Sequence, residues 1–280
     1  MKIDLNTDLK RVILMISEKG GVGKTHTACA LVDYARSTNQ RIAAYDGDMQ
    51  GDWKLSKMFA QCDEDGDLPD EQNPTAEVVS YDCSNEEDRA IIVNACSTAD
   101  PVILHDISAG GLGHLMKVQD GGGGLKRLLR AFASVGYRVT IIHVVTVEDG
   151  TTRSVADVLD ELELAGAAAE IVDHIVVLNR RDGKKNSAFK TWFEGSRDAT
   201  TKDRVSGPVT RNRFLAAGGK EIELPMLDPT TCNEIAGLRI SFSEAERSRY
   251  LTLNEQQYAK NFRMDFAEAI EPVKNLLGLA

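Results

Sequence analysis

The sequence predicts an α/β fold: a doubly wound, mainly parallel sheet with helices on both faces. Short, continuous apolar runs recur along the chain, as strands buried on both faces of a parallel sheet require. Helical patterns alternate with them, the mark of βαβ units with right-handed crossovers. A glycine-rich turn, residues 18–25, joins the first apolar run to the first helical pattern.

That first strand is Val12 to Ile16, and the helical pattern after the turn runs over Thr25 to Ala35. Ile42 to Tyr45 and Val102 to Leu104 are the next strands. A helix over Leu125 to Ala133 places Leu125, Leu128, Leu129 and Phe132 on one face, the spacing of a helix that buries a single stripe. Val139 to Val145, a helix over Val155 to Leu164, and Ile175 to Leu178 continue the alternation, and Ile222 to Leu224 is a last, weaker strand. Residues 1–280 read as one domain with a helical C-terminal segment over about 241–280. There is no internal repeat.

Of the 280 residues 42% are hydrophobic and 27% charged, a balance that supports a buried core and excludes a disordered or fibrous chain. Forty-three acids against 33 bases give a net charge of −10. That argues against general coating of nucleic acid or anionic membrane, while allowing a local basic patch. No run approaches the ~18 apolar residues of a membrane span, and the first ten residues lack the apolar centre of a signal peptide. A cytoplasmic protein is expected. The five cysteines, Cys29, Cys62, Cys83, Cys96 and Cys232, form no Cys-x-x-Cys pair and read as reduced thiols. The five histidines lack the i, i+4 spacing that zinc hydrolases use.

Two stretches break the rhythm. Residues 63–89 carry eleven acids and one base, Arg89, and are expected to form a solvated acidic insertion over about 60–90. An EF-hand frame on Gly66 puts Gln61 and Gln72 where carboxylates are needed, which disfavours calcium. Residues 180–213 hold ten bases against four acids, a local excess of six positive charges.

The strongest chemical signal is Glu18-Lys19-Gly20-Gly21-Val22-Gly23-Lys24-Thr25, which follows a strand and opens a helix. Glycines let the backbone curl so that successive N–H groups face phosphate oxygens, and the helix N-terminus adds partial positive charge. Lys24 is placed to reach β and γ phosphates and the Thr25 hydroxyl to ligate Mg²⁺. An apolar strand tipped by an acid, Val102 to Asp106, is followed by Ile107-Ser108-Ala109-Gly110-Gly111. Asp106 can hold Mg²⁺ through water, and Gly110 can bring a backbone N–H to the γ phosphate. Gly121 to Gly124 form a glycine hinge or a plain connection.

These motifs resemble the ParA/MinD family of deviant Walker A ATPases, whose signature is Lys-Gly-Gly-x-Gly-Lys-Thr/Ser. The resemblance makes Gly20, Gly21, Val22, Gly23, Lys24, Thr25 and His26 the nucleotide loop, with ATP and Mg²⁺ as ligands. Lys19 is the family's extra lysine, which crosses a dimer interface to the partner's phosphates. His26 departs from the family's usual threonine and puts a hydroxyl contact to the α phosphate in doubt. Tyr45-Asp46-Gly47-Asp48-Met49-Gln50-Gly51 looks like the family's Asp-x-Asp-Pro-Gln-Gly, with Met49 in place of proline. By resemblance Asp48 positions the attacking water and Asp46 supports the Mg²⁺ shell. Asn179 and Arg180, after the run His174 to Leu178, and Pro225, in Leu224-Pro225-Met226-Leu227, match the family's base-recognition positions.

His143 to Val147, Phe189-Lys190, Asp203-Arg204-Val205 and Ser241 to Ala245 are further similar to the TraL-type conjugal transfer branch of that superfamily. The resemblance implies an ATP-dependent homodimerising switch with slow hydrolysis, serving plasmid partition or conjugal transfer with an unknown activating protein. A non-hydrolysing nucleotide-gated module and a small-molecule P-loop kinase or synthase remain open. An iron–sulfur reductase is disfavoured, because no cysteine lies between Asp106 and Cys232. Residues 180–213 are a candidate for non-specific DNA contact. Met264 to Pro272 is too acidic for a membrane-surface helix.

Overall fold

The computed structural model describes residues 10–48, 54–59, 72–118, 124–180, 185–197, 200–202 and 208–280. The chain begins β1 (Lys10–Ile16), α1 (Lys24–Ser37), β2 (Ile42–Gly47), α2 (Leu55–Phe59), β3 (Val79–Ser80), α3 (Glu86–Arg89), α4 (Ile91–Asn94), β4 (Val102–Ile107) and α5 (Gly111–Leu115). It continues α6 (Gly124–Ser134), β5 (Tyr137–Val145), α7 (Asp149–Ala165), β6 (Val172–Asn179), α8 (Lys190–Glu194), α9 (Val209–Ala216) and β7 (Lys220–Leu224). The last helices are α10 (Pro229–Leu238), α11 (Phe242–Ala245), α12 (Leu253–Ile270) and α13 (Lys274–Leu277).

Seven strands form one sheet in the order β3-β2-β4-β1-β5-β6-β7, and every pairing among the described residues is parallel. All six expected strands are present, each extended by one to three residues at one or both ends. From β1 the chain moves to one side of the sheet to reach β2, and from β4 it crosses to the other side to reach β5. Connections therefore diverge beside the carboxyl ends of β1 and β4, the crevice where open α/β sheets take ligands.

Side chains alternate between the two faces with the period of two that a strand imposes. Ile13 and Met15 face α1 and the C-terminal helices, in a core that includes Ala28, Leu31, Phe262 and Phe266. Val12, Leu14 and Ile16 face the opposite core, with Leu125, Leu128, Leu129 and Phe132 of α6. A smaller cluster beneath α8 and α9 buries Trp192 and Phe214 against Val176 and Leu178. Capping boxes at Ser241/Glu244 and Thr252/Glu255 start α11 and α12, each satisfying two of the backbone N–H groups a helix start leaves open.

The acidic stretch is not wholly solvated as expected. Val78, Tyr81 and Cys83 are buried, and β3 adds an edge strand that pairs Tyr45 with Val79 and Asp46 with Ser80. Its apolar residues are few and interrupted, so they leave no strand pattern among the acids. Residues 60–71, with the calcium-like frame on Gly66, and Met49 to Gly51, Gly121 to Gly123 and residues 203–207 lie outside the described residues. No described helix is long and apolar enough to cross a membrane.

Candidate functional site

The glycine-rich turn leaves the carboxyl end of β1 and enters α1 at Lys24. Gly21 and Gly23 hold left-handed backbone at φ 73° and 100°. A Cβ on Gly23 would stand 2.5 Å from Asn179 Nδ2, so the loop closes over β6 only with glycine there. Lys24 is 5% exposed and its ammonium donates to the Lys19 carbonyl at 3.4 Å, folded back over the loop where phosphates would lie.

Strand parity places the carboxylates. Ile42 and Ala44 of β2 and Val102 and Leu104 of β4 face α1, so Asp46 and Asp106, two residues further on, face α1 as well. They are direct partners in the parallel register. Asp46 is locked: one oxygen accepts from Ser56 N and Oγ, both at 2.9 Å, and the other from Asp48 N at 3.2 Å. Asp106 is fully buried, and neither of its oxygens has a hydrogen-bond donor at bonding geometry. Burial, and then the neighbouring Asp46, push its pKa up to about 7, against the lowering pull of the Thr25 hydroxyl and Lys24.

A buried, unsatisfied carboxylate is costly. Here it lies beside a hydroxyl and a phosphate loop, which is the donor set that suits Mg²⁺, an ion that takes one or two protein oxygens and keeps water and phosphate as its other ligands. Asp106 and Thr25 fit that role, while Asp46 is taken up in holding Ser56 and Asp48. Asp48 is half-buried, and its charge reaches Asp46 and Asp106, so the structure groups Lys24, Thr25, Asp46, Asp48 and Asp106 at one crevice. Gly110 caps α5 with φ 79°. Its loop meets the phosphate loop where a Cβ on Gly20 would lie 3.9 Å from Ala109 Cβ.

Lys19 is ion-paired with Glu148, the residue that precedes α7. Sequence reasoning missed Glu148. The only signal, an acid at a helix start, is common to many helices.

The remaining expected positions differ in what their side chains do. The His26 ring turns into the interior, with centroids 5.3 Å from Phe242 and 5.2 Å from Phe262, so only its backbone N–H is on the loop side of α1. Asn179 donates from Nδ2 to the Val22 carbonyl at 2.7 Å: this end of the amide braces the loop. Arg180 pairs with Glu223 at 2.6 Å and lies over the Phe189 ring. Its side chain is directed to the β7 edge. Pro225 is half-buried just past β7, beside Asp265, Glu268 and Pro272.

The basic stretch is partly neutralised. Arg211 makes a two-pronged contact to Glu221, with both distances 2.7 Å, and Arg213 bridges Asp160 and Glu163 at 2.7 and 2.9 Å. With Arg180 that makes three of the ten bases paired to acids of β7 and α7, which lie outside the stretch and do not enter its local charge count. Arg181, Lys184 and Arg204 lie outside the described residues.

A left-handed glycine loop between β1 and α1, with a buried acid on the neighbouring strand, defines a P-loop α/β protein. More particularly, the family described as CobQ/CobB/MinD/ParA nucleotide binding domain (CbiA) matches residues 13–217, and the chain belongs to it. Comparison with curated proteins finds no match. Among solved structures the chain is similar to the MinD cell division protein of Aquifex aeolicus, at 14% identity over 90% of this chain and 95% of that one, TM-score 0.45. It is also similar to a ParA family ATPase from Chlorobium tepidum TLS, at 14% identity, 90% and 99% coverage, TM-score 0.46. A plasmid partition protein of Borrelia burgdorferi B31, bound to AMPPNP, gives 18% identity, 92% and 99% coverage, TM-score 0.47.

Proposed function

We propose that the chain is an ATP-binding switch of one P-loop domain, in which bound ATP drives homodimerisation and slow hydrolysis resets it. The observation that carries the reading is the Asp106 carboxylate, fully buried beside the Thr25 hydroxyl and Lys24. Such a site is complete once a cation and phosphate charge enter it.

In this reading the backbone of Gly20 to Thr25, with the His26 N–H, cradles the phosphates, and Lys24 unfolds from the Lys19 carbonyl to neutralise their charge. Mg²⁺, when bound, would neutralise phosphate oxygens, held by Thr25 and Asp106 with Asp46 keeping the strand tips in place. Asp48 orients a water in line with the γ phosphate, and Gly110 reports that phosphate through its N–H. Asn179, Arg180 and Pro225 border the base. Lys19 leaves Glu148 and reaches the partner's phosphates, stabilising charge as an arginine finger does.

The TraL-type resemblance supports service in plasmid transfer or partition, with an activating protein that accelerates turnover. Sequence-independent DNA contact would rest on lysines such as Lys185 and Lys190 more than on Arg211 and Arg213, which are paired to acids. It would show as affinity that falls with salt only in the ATP-bound state.

The test is calorimetric titration with ATP and Mg²⁺. The parent chain should bind, and Lys24→Ala should show no measurable binding. Equal affinity for the two chains removes the phosphate-loop assignment.

A further inference from the structure

Glu18 stands before the two-lysine loop, and its contacts lie on both sides of it. Its backbone N–H donates to Ser154 Oγ of α7 at 3.0 Å. Its carboxylate Oε1 accepts the backbone N–H of Leu112, in the first turn of α5, also at 3.0 Å. α5 follows directly on Gly110, at the end of the loop that leaves the Asp106 strand. Glu18 is exposed while Leu112 is buried, so the carboxylate reaches in from the surface to hold one of the N–H groups a helix start leaves without an intrahelical partner.

The same seam is packed on apolar atoms. A Cβ on Gly111 would meet Ile107 Cγ2 at 3.0 Å and Ile16 Cγ2 at 3.5 Å. The start of α5 thus packs closely against the end of β1, and the Glu18 carboxylate bonds its first turn. The start of α5 therefore has two attachments, a hidden one from Gly111 to Ile16 at the end of β1 and a charged one from Leu112 to Glu18 of the loop at residues 18–25. Only the second can be removed without disturbing the core.

We infer that Glu18 is a positioning residue that couples the phosphate loop to the Gly110 loop, so that occupancy of the γ-phosphate position is felt at α5. The inference rests on the nucleotide reading above. A charge-assisted hydrogen bond to a backbone N–H is among the stronger ones. It keeps the Gly110 N–H at a set distance from the phosphates held by Lys24 and Thr25. Without it α5 can fray, and the chain distinguishes ATP from ADP less well although both still bind.

The experiment compares the full parent chain with Glu18→Ala and Glu18→Gln by amide hydrogen exchange over residues 108–116 and by affinity for ATP and ADP with Mg²⁺. Glu18→Ala should exchange at least tenfold faster over 111–115, with α1 unchanged, and should lose fivefold or more of the ATP over ADP preference. Glu18→Gln, which keeps an acceptor oxygen, should recover most of both. Unchanged exchange and unchanged preference in Glu18→Ala overturn the coupling while leaving the nucleotide reading intact. Faster exchange with the preference retained shows a structural cap only and also overturns it. A parent chain that binds neither nucleotide overturns the nucleotide reading, and the coupling falls with it.

Discussion

Lys19, the first lysine of the phosphate loop, is ion-paired to Glu148 of its own chain at the entrance of α7. The side chains are 47% and 50% exposed, so the pair is worth at most about 1 kcal/mol and phosphate charge can displace it. If Lys19 acts across a dimer, Glu148 competes for it. Glu148→Gln should then tighten ATP-dependent dimerisation up to about fivefold by sedimentation. Lys19→Ala should bind ATP as a monomer, and normal dimer formation by this variant would exclude the cross-chain role.

Gly23 and Asn179 interlock. The glycine sits at φ 100° with its missing Cβ 2.5 Å from the amide that holds the Val22 carbonyl. Gly23→Ala adds both left-handed strain, of order 1–3 kcal/mol, and a clash, and should lower ATP affinity at least tenfold. Asn179→Ala relieves the clash but frees the loop. The double variant should therefore bind better than Gly23→Ala alone, an ordering that a fluorescent ATP analogue can measure.

Asp48→Ala separates binding from hydrolysis. Lys24, Thr25 and Asp106 are left in place, while the water loses its orientation, which should slow phosphate release roughly 10²-fold or more. Light scattering should show a doubled mass with ATP and Mg²⁺ but not with ADP. Hydrolysis at the parent rate would assign the water to another residue.

His174 predicts an acid-sensitive term in stability. It is 5% exposed, its Nδ1 is 3.3 Å from His143 Nε2, and the Phe214 ring centroid lies 6.3 Å from its own. Burial lowers its pKa to about 4, against a small raising effect of Asp173. The unfolded chain takes up this proton near pH 6.5 and the folded chain does not, so the site's contribution is whole above about 6.5 and is lost as pH falls toward 4. His174→Phe has no such term. Between pH 6.5 and 4.5 it should lose less stability than the parent, by up to about 1.4 kcal/mol per pH unit. Parallel denaturation curves across that range would refute it.

The sheet, its main helices and the glycine turn between β1 and α1 were legible because local rules govern them. β-branched apolar runs such as Val139 to Val145 suit a strand buried on both faces, and the glycines before Lys24 allow the left-handed turn that enters α1. Strand parity and the parallel register of β2 with β4 then determine that Asp46 and Asp106 share a face. Position along the chain says nothing, however, about which partner occupies a side chain's last few ångströms. Glu148 on Lys19, Glu18 on Leu112, Asn179 under Gly23, His26 between two phenylalanines and Asp160 on Arg213 are all contacts between segments far apart in sequence. They arise when separate strands and helices are stacked, and each is chosen by burial, charge and steric fit at that point. A linear charge count gives residues 180–213 an excess of six positive charges, whereas folding also brings acids of β7 and α7 against three of its arginines.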